Sequence, residues 1–185
     1  MLKLLSTLIL KIAGWKVIGK YPEGLNKFVI VAAPHTSNWD FLYSRCALYI
    51  LGIPVRFTIK KELMTFPLGP LLRTLGAIPI DRSPKMNKKA SMVHAMIRLF
   101  EEKEKLCIMV TPEGTRSYAK RWRTGFYHVA VGAKVPLLLC FLDYKKKHVG
   151  VGPTFYPTGN IEEDIEKIKD YYRTKTAKYP EKGVR

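Results

Sequence analysis

The chain has 185 residues with 47% hydrophobic side chains, which suits one folded domain and is too short for two comfortable ones. Its formal net charge of +17, from 32 basic and 15 acidic residues, predicts a negatively charged partner: nucleic acid, an anionic membrane surface or a phosphate-bearing substrate. Three widely spaced cysteines without a C-x-x-C pair exclude a zinc site of the usual spacing and are typical of reduced, buried thiols.

Residues 1–20 are predicted to form an amphipathic N-terminal segment that precedes a single domain at residues 21–185. The longest uncharged run in the segment, Leu4 to Leu10, is far short of the roughly 20 apolar residues that span a bilayer. Lysines interrupt the leucines, as in a helix that lies in a membrane interface. An ordinary helix packed on the domain would show the same pattern, so both interpretations stay open.

From residue 28 onwards, short apolar runs alternate with amphipathic stretches. The runs typical of strands cover residues 28–32, 55–59, 77–80, 106–110 and 135–142, and residues 149–151 are the expected hairpin partner of the last. The helical patterns cover residues 41–51, 67–75, 88–105, 126–133 and 160–179. This alternation predicts an α/β fold with a mostly parallel sheet flanked by helices. Since ligands of such sheets bind at the carboxyl ends of the strands, the residues that follow each strand form the candidate site.

The first candidate residues follow the strand at 28–32, where His35 lies in a loop and Asp40 comes five positions later. Pro34 disfavours helix at the residue before it, and Ser37 is a favourable N-cap, so the helix is predicted to begin after Ser37. The loop can then fold His35 back towards Asp40, which would orient the imidazole as a base. Ser37 and Asp40 also match a capping box, in which the carboxylate only satisfies backbone donors.

Charged residues follow the other predicted strands at the same edge of the sheet. They are Lys60 after residues 55–59, Asp81 and Arg82 after 77–80, and the run from Glu113 to Ser117 after 106–110. A histidine base without a protein nucleophile suits removal of a proton from a hydroxyl group that then attacks an activated carbonyl. Arg82 and Arg116 suit a phosphate on the hydroxyl-bearing molecule, because guanidinium groups form forked hydrogen bonds with oxyanions.

Structural interpretations of these charged residues also stand. Residues 111–114 match a type I turn with Pro112 second and Gly114 fourth, and Asp81 with Arg82 matches a plain surface ion pair. The sequence contains no G-x-S-x-G elbow, no G-x-x-x-x-G-K-[ST] loop and no G-x-G-x-x-G fingerprint, so hydrolase and nucleotide chemistry of those kinds is unsupported.

Four blocks of the chain resemble, in order and separation, those of the glycerol-phosphate and lysophosphatidate acyltransferases. Residues 35–40 (HTSNWD) resemble the family's His-x-x-x-x-Asp block, and residues 76–82 (GAIPIDR) resemble its second block, which ends in Asp-Arg. Residues 113–117 (EGTRS) match the third block residue for residue, and residues 135–136 with the apolar run after them resemble the fourth. The resemblance covers roughly residues 28–142.

The resemblance implies an O-acyltransferase that moves a fatty acyl group from a thioester to the hydroxyl of a lyso-phospholipid, above all 1-acylglycerol-3-phosphate. His35 would be the general base and Asp40 its orienting partner. Coenzyme A or acyl carrier protein would carry the acyl group as co-substrate, and neither a cofactor nor a metal is expected. The substrate-binding residues expected, with Lys60 added from the sheet edge, are Lys60, Arg82, Glu113, Gly114, Thr115, Arg116 and Arg123.

Departures from the family's blocks leave the acceptor open. Pro79 stands where an aromatic residue is common, and the fourth block lacks a second proline, so an acceptor without a phosphate is the first alternative. A thioesterase and a basic nucleic-acid-binding domain are alternatives from other classes, the latter because of the basic, aromatic run from Lys120 to Tyr127. No recognised nucleic-acid-binding motif is present in the sequence, so no nucleic acid partner is expected.

The net positive charge and the N-terminal segment together favour a membrane surface over the other anionic partners. The expected partners are therefore an anionic phospholipid surface, a lyso-lipid acceptor and an acyl thioester donor. The predicted location is peripheral or monotopic, on the cytoplasmic face of the membrane.

Overall fold

The fold is a mostly parallel sheet with helices on both faces, seen in a computed structural model that describes residues 2–65, 67–74, 76–80 and 88–185. The strands are β1 (Lys16–Ile18), β2 (Lys27–Ala33), β3 (Phe57–Lys60), β4 (Ala77–Ile80), β5 (Leu106–Val110), β6 (Leu137–Asp143) and β7 (His148–Phe155). The helices are α1 (Leu2–Ile12), α2 (Asn38–Ile50), α3 (Leu68–Thr74), α4 (Lys88–Glu102), α5 (Gly125–Gly132) and α6 (Ile161–Arg173). Short 3-10 turns lie at Lys61–Met64 and Pro180–Lys182.

The main sheet has the strand order β1-β7-β6-β2-β5, and each pairing is parallel except the β6–β7 hairpin. The predicted parallel α/β sheet and its terminal hairpin are therefore confirmed. Strands β3 and β4 pair with each other in a separate two-stranded sheet, which the sequence pattern does not predict. The backbone of Arg56 joins this pair to β5, because its N–H donates to Cys107 O at 2.8 Å and its carbonyl accepts from Met109 N at 2.9 Å.

The central strand β2 is buried on both faces, which explains why its sequence is a continuous apolar run. Successive side chains of a strand point to opposite faces of the sheet. Phe28, Ile30 and Ala32 accordingly pack in one cluster with Leu48 of α2. Val29, Val31 and Ala33 pack in another cluster with the buried residues of α4, α5 and α6. The strand therefore holds its carboxyl end, and the loop after it, in a fixed place.

The C-terminal helix α6 is shorter than the predicted helix at residues 160–179. It begins after Asn160, whose side chain accepts from Glu163 N, and it ends at Arg173. Tyr172 attaches the helix to the sheet, since its hydroxyl donates to the carbonyl of Val31 at 2.5 Å and lies 3.1 Å from that of Cys140. The rest of the predicted helix, residues 174–179, is an irregular C-terminal segment.

The N-terminal helix α1 packs against α2 and leaves an apolar face exposed. Ser6 and Leu10 are buried, whereas the outer side chains Leu2, Leu4, Leu5, Leu8 and Ile12 are at least half exposed. The helix ends at Ile12, and residues 16–18 of the predicted N-terminal segment form β1, which pairs with β7 of the main sheet. Within the described part of the chain, no helix has the length and hydrophobicity needed to cross a membrane.

Candidate active site

The loop between β2 and α2 brings His35 and Asp40 together. Ser37 is the N-cap of α2, and the side chains of Ser37 and Asp40 form a capping box. Oδ2 of Asp40 accepts from the backbone N–H of Thr36 at 2.7 Å and from that of Ser37 at 2.8 Å. The same oxygen lies 3.4 Å from Nδ1 of His35. The capping and the pairing interpretations of Asp40 therefore hold at the same time.

His35 is placed so that one of its ring nitrogens is available for chemistry. Asp40 is 2% exposed, while the side chain of His35 is 18% exposed, so the ring reaches solvent and its partner does not. A proton on Nδ1 directed at the carboxylate leaves Nε2 with a free electron pair. The pair thus has the composition of a histidine general base with an orienting carboxylate.

Tyr144 completes the surroundings of Asp40. Its hydroxyl donates to Oδ1 of Asp40 at 2.5 Å, and it directly follows the end of β6. Burial of Asp40 acts to raise its pKa, but the hydrogen bonds from His35, Tyr144, Ser37 and Thr36 together bring that pKa below its ordinary value. Tyr144 is absent from the residues predicted above, although the rule that singles out His35, position at the carboxyl end of a parallel strand, applies to it equally.

Glu113 lies in the loop after β5, the strand adjacent to β2, and it contacts the His35 loop. Its Oε1 accepts from the backbone N–H of His35 at 3.1 Å. The residue is 7% exposed, and its Oε2 is buried without a hydrogen-bond partner among the described residues. Burial raises the pKa of Glu113 to about 7. The structure therefore places the first residue of the EGTRS block in contact with the His35 loop.

The rest of the EGTRS block is exposed and lies beside Arg123. Gly114 has φ of +65°, and a Cβ atom on it would lie 2.4 Å from Nε of Arg123. The backbone N–H of Arg123 donates to Pro112 O at 2.8 Å, and Gly114 N–H donates to Thr111 O at 3.2 Å, which fits the predicted turn. Thr115 and Arg116 are exposed. The guanidinium stem of Arg123 thus lies directly on the turn that carries Arg116.

The two remaining predicted site residues are Lys60 and Arg82. Lys60 is the last residue of β3, and Arg56, directly before β3, bridges β5 in parallel, so β3 runs in the same direction as β5. Arg82 and its neighbour Asp81 lie outside the described residues. Among the residues that the structure describes, no group of three His, Cys, Asp or Glu side chains is placed to hold a metal ion.

A cavity of about 350 Å³ lies at the opposite end of α2 from His35. Its lining includes Arg45, Tyr49, Arg56 and Gly76, and none of the predicted site residues. The candidate site is therefore the loop region at the carboxyl ends of β2, β5 and β6, and not this cavity.

Comparison with known proteins identifies the family of the chain. A family model described as "Acyltransferase" matches residues 15–142, which include the His35 loop, Glu113 and Arg123. The chain belongs to the acyltransferase family. All four blocks named above lie in that match.

Two individual proteins show the extent of the similarity. The chain is 29% identical over 144 residues to a 1-acyl-sn-glycerol-3-phosphate acyltransferase of Saccharomyces cerevisiae. That alignment covers 74% of this chain and 44% of the yeast protein, so the chain spans less than half the length of that relative. The crystal structure of the 1-acyl-sn-glycerophosphate acyltransferase PlsC from Thermotoga maritima superposes with a TM-score of 0.62 at 18% identity. The superposition covers 92% of this chain and 74% of PlsC, and it shows that the two proteins share a fold.

Proposed function

We propose that the protein is an O-acyltransferase that transfers a fatty acyl group from a thioester to the hydroxyl of a lyso-phospholipid. The observation that carries this proposal is the contact of 3.4 Å between His35 Nδ1 and Asp40 Oδ2 in a member of the acyltransferase family. The name of the yeast relative supports 1-acylglycerol-3-phosphate as the first acceptor to test. A lyso-lipid without a phosphate is the second.

The proposed reaction uses His35 as the base and needs no covalent enzyme intermediate. Nε2 of His35 takes the proton of the acceptor hydroxyl while the hydroxyl oxygen attacks the thioester carbonyl carbon and forms the new C–O bond. The tetrahedral intermediate then collapses, the C–S bond breaks, and the imidazolium returns its proton to the thiolate. Asp40 stabilises the imidazolium between the two steps because its carboxylate is already ionised and faces Nδ1.

Two exposed cations in the loop after β5 suit the acceptor's phosphate. Arg116 and Arg123 belong to the loop after β5, whose Glu113 contacts the backbone of His35. Guanidinium groups bind phosphate oxygens with paired, charge-assisted hydrogen bonds. The assignments of Thr115, Lys60 and Arg82 to substrate binding remain predictions that rest on the family's blocks and the sheet edge.

The apolar face of α1 supports docking on a membrane surface. Leu4 and Ile12 are 77% and 78% exposed, and Lys11 lies on the same helix. A helix with an exposed apolar face and neighbouring lysines binds the interface of an anionic bilayer. The net charge of +17 favours anionic lipids, and the buried, free thiols of Cys46, Cys107 and Cys140 fit a reducing, cytoplasmic side.

The catalytic proposal is tested with His35→Ala in an assay for thiol release from long-chain acyl-CoA. With 1-acylglycerol-3-phosphate as acceptor, turnover should fall by about 10³-fold, within the range that general-base catalysis contributes. His128→Ala, which alters an exposed histidine on α5, is the matched control and should keep wild-type turnover. Undiminished turnover in His35→Ala would discard the mechanism.

Two further arms of the assay separate the alternatives. Omitting the acceptor should abolish thiol release, whereas release at the full rate would identify a thioesterase. Replacing 1-acylglycerol-3-phosphate by 1-acylglycerol, which lacks the phosphate, should lower kcat/KM. Equal kcat/KM for the two would favour an acceptor without a phosphate.

Membrane docking is tested with Leu8→Asn on the outer face of α1. Burial of one leucine in an apolar environment contributes about 1.5–3 kcal/mol, so binding to anionic vesicles should weaken roughly tenfold or more. Val131→Asn replaces a residue on α5 that is similarly exposed, at 43% against 54% for Leu8, and should bind as the wild type does. Unaltered vesicle sedimentation of Leu8→Asn would argue against the docking face.

A further inference from the structure

The carboxylate of Asp40 is held from two sides by different parts of the chain. Oδ2 accepts from the backbone of the His35 loop, while Oδ1 accepts from the hydroxyl of Tyr144, 104 residues away in sequence. Within the described residues, Tyr144 provides the hydrogen bond to Oδ1, and Asp40 is only 2% exposed. The orientation of the carboxylate plane therefore depends on Tyr144 as well as on the loop.

We propose that Tyr144 is a positioning residue for the catalytic base, which it serves by holding Oδ1 so that Oδ2 faces His35. Tyr144 itself does not touch the reacting atoms, and it acts through Asp40. This inference rests on the proposed function, since it assigns a role within the same site.

The ring of Tyr144 is held firmly enough for this role. It packs edge-on against Trp15 at 4.8 Å between ring centroids, and the ring of Tyr43 on α2 lies 6.5 Å away. Its backbone N–H donates to Thr176 O at 2.8 Å. Three separate parts of the chain therefore contact Tyr144: Trp15 before β1, Tyr43 of α2 and Thr176 of the C-terminal segment. A side chain with few free rotamers costs little further entropy when it orients a partner.

The hydroxyl of Tyr144 remains a donor throughout the working pH range. Burial, and next the hydrogen bond to Asp40, raise the pKa of Tyr144 far above its ordinary value, so the phenol stays protonated. The other titratable groups around the pair are Glu113 from the β5 loop, Tyr43 from α2 and Tyr179 from the C-terminal segment. None of these three donates a described hydrogen bond to Asp40.

Loss of the hydroxyl therefore has two separate effects. The carboxylate becomes less well oriented, which lowers the rate because small misplacements of a catalytic group are costly. The carboxylate also loses a hydrogen-bond donor that had offset part of its negative charge, so it stabilises the imidazolium of His35 more strongly. The acid limb of the kcat profile is the low-pH range in which kcat falls because the base is protonated. This limb then moves to higher pH.

The test compares Tyr144→Phe with Tyr43→Phe in the full chain. Tyr144→Phe should lower kcat about tenfold, leave KM within about twofold and move the acid limb of the kcat profile to higher pH. Tyr43→Phe removes a hydroxyl from the same aromatic cluster without removing a described bond to Asp40, and should match the wild type. A Tyr144→Phe enzyme with the kcat and acid limb of Tyr43→Phe would overturn the proposal.

A second substitution keeps the result independent of folding. Replacing Tyr144 with a fluorinated tyrosine keeps the shape of the ring and makes its hydroxyl a stronger donor. The acid limb should then move to lower pH, opposite to Tyr144→Phe, which general structural damage would not produce. Movement in the same direction for both would contradict the proposal.

An NMR titration separates this inference from the proposed function. The ring resonance of His35, assigned by its loss in His35→Ala, should titrate at higher pH in Tyr144→Phe than in the wild type, without any substrate. If the wild type acylates no acceptor but the two proteins show this difference, the proposed function is refuted and the effect of Tyr144 on His35 is retained. An active protein whose His35 titrates identically in both would refute the role of Tyr144 alone.

Discussion

The loop after β2 and the loop after β5 leave neighbouring parallel strands at one edge of the sheet, yet they are built differently. In the first, the carboxylate of Asp40 is buried and surrounded by four hydrogen-bonding groups of the protein. In the second, one oxygen of the buried Glu113 carboxylate has no hydrogen-bond partner among the described residues, and residues 114–118 are exposed. The β2 loop is fixed by hydrogen bonds inside the protein, whereas most of the EGTRS block in the β5 loop is exposed to solvent.

The difference suggests that the β2 loop serves the chemical step and that the exposed part of the β5 loop serves acceptor binding. A base must be held within a fraction of an ångström, which requires partners inside the fold. Cations that bind an exchangeable phosphate must instead remain accessible to solvent. We therefore expect changes in the β2 loop to act on kcat and changes in the exposed part of the β5 loop to act on KM. Four variants compare the two loops, three of them through kcat and KM and one through stability, beginning with the largest effect.

The strongest test of the β2 loop is Asp40→Asn. An amide in place of the carboxylate presents the wrong charge to His35 and favours the wrong ring tautomer, so kcat should fall by about 10³-fold or more. KM should change little because the residue is buried. Asp170→Asn on the exposed face of α6 is the control, with wild-type kinetics expected. A rise in KM without a loss of kcat would break the proposed division.

The next variant, Glu113→Gln, tests the buried side of the β5 loop through protein stability. Burial raises the pKa of Glu113 from 4.5 to about 7, so the folded protein binds the proton more tightly than the unfolded chain. Wild-type stability therefore has a component that falls as the pH rises from about 4.5 to about 7, by up to about 3 kcal/mol. Glutamine lacks this proton equilibrium and can still accept from His35 N–H.

The measurement is urea unfolding of both proteins at pH 4.5 and pH 8. Relative to the wild type, Glu113→Gln should gain stability between the two values. The exposed Glu181→Gln in the C-terminal segment should show no such gain. A difference between Glu113→Gln and the wild type that is independent of pH would mean that Glu113 ionises normally in the folded protein.

A smaller effect is expected for Arg116→Ala in the exposed part of the β5 loop. Hydrogen bonds to charged groups contribute about 1.5–3 kcal/mol, so KM for a phosphate-bearing acceptor should rise about tenfold or more. The value of kcat, and KM for an acceptor without phosphate, should stay close to wild type. Arg98→Ala removes an exposed arginine from α4 and controls for the loss of charge. A loss confined to kcat would contradict the binding role.

The smallest effect concerns Gly114→Ala, which tests how the turn supports Arg123. The φ of +65° at Gly114 costs a non-glycine residue about 1–2 kcal/mol, and the added Cβ also meets the guanidinium stem. Gly24→Ala has a similar φ of +72° with open space around it, so it isolates the backbone cost. KM should rise a few-fold in Gly114→Ala alone. Identical KM in both variants would argue against the idea that the contact between Gly114 and Arg123 supports acceptor binding.

Local patterns in the sequence were sufficient for most of the fold and for the central pair. The apolar runs predict the strands because buried strands need apolar side chains on both faces, and Ser37 marks the start of α2 because it caps backbone N–H groups within a few residues. His35 and Asp40 meet for the same local reason. Charge and composition, by contrast, left several classes of anionic partner open.

Only the tertiary structure decided which distant side chains meet. Tyr144 reaches Asp40 because β6 lies next to β2 in the sheet, and Glu113 reaches the His35 amide because β5 lies on the other side. Strand order is set by the packing of the whole domain, so no short stretch of sequence encodes either contact. Residues 16–18 likewise became strand β1, and not part of the N-terminal helix, because β7 offers an edge for them to pair with. The sequence by itself thus determined most of the elements and the His35–Asp40 pair, and the sheet order determined which distant residues support that pair.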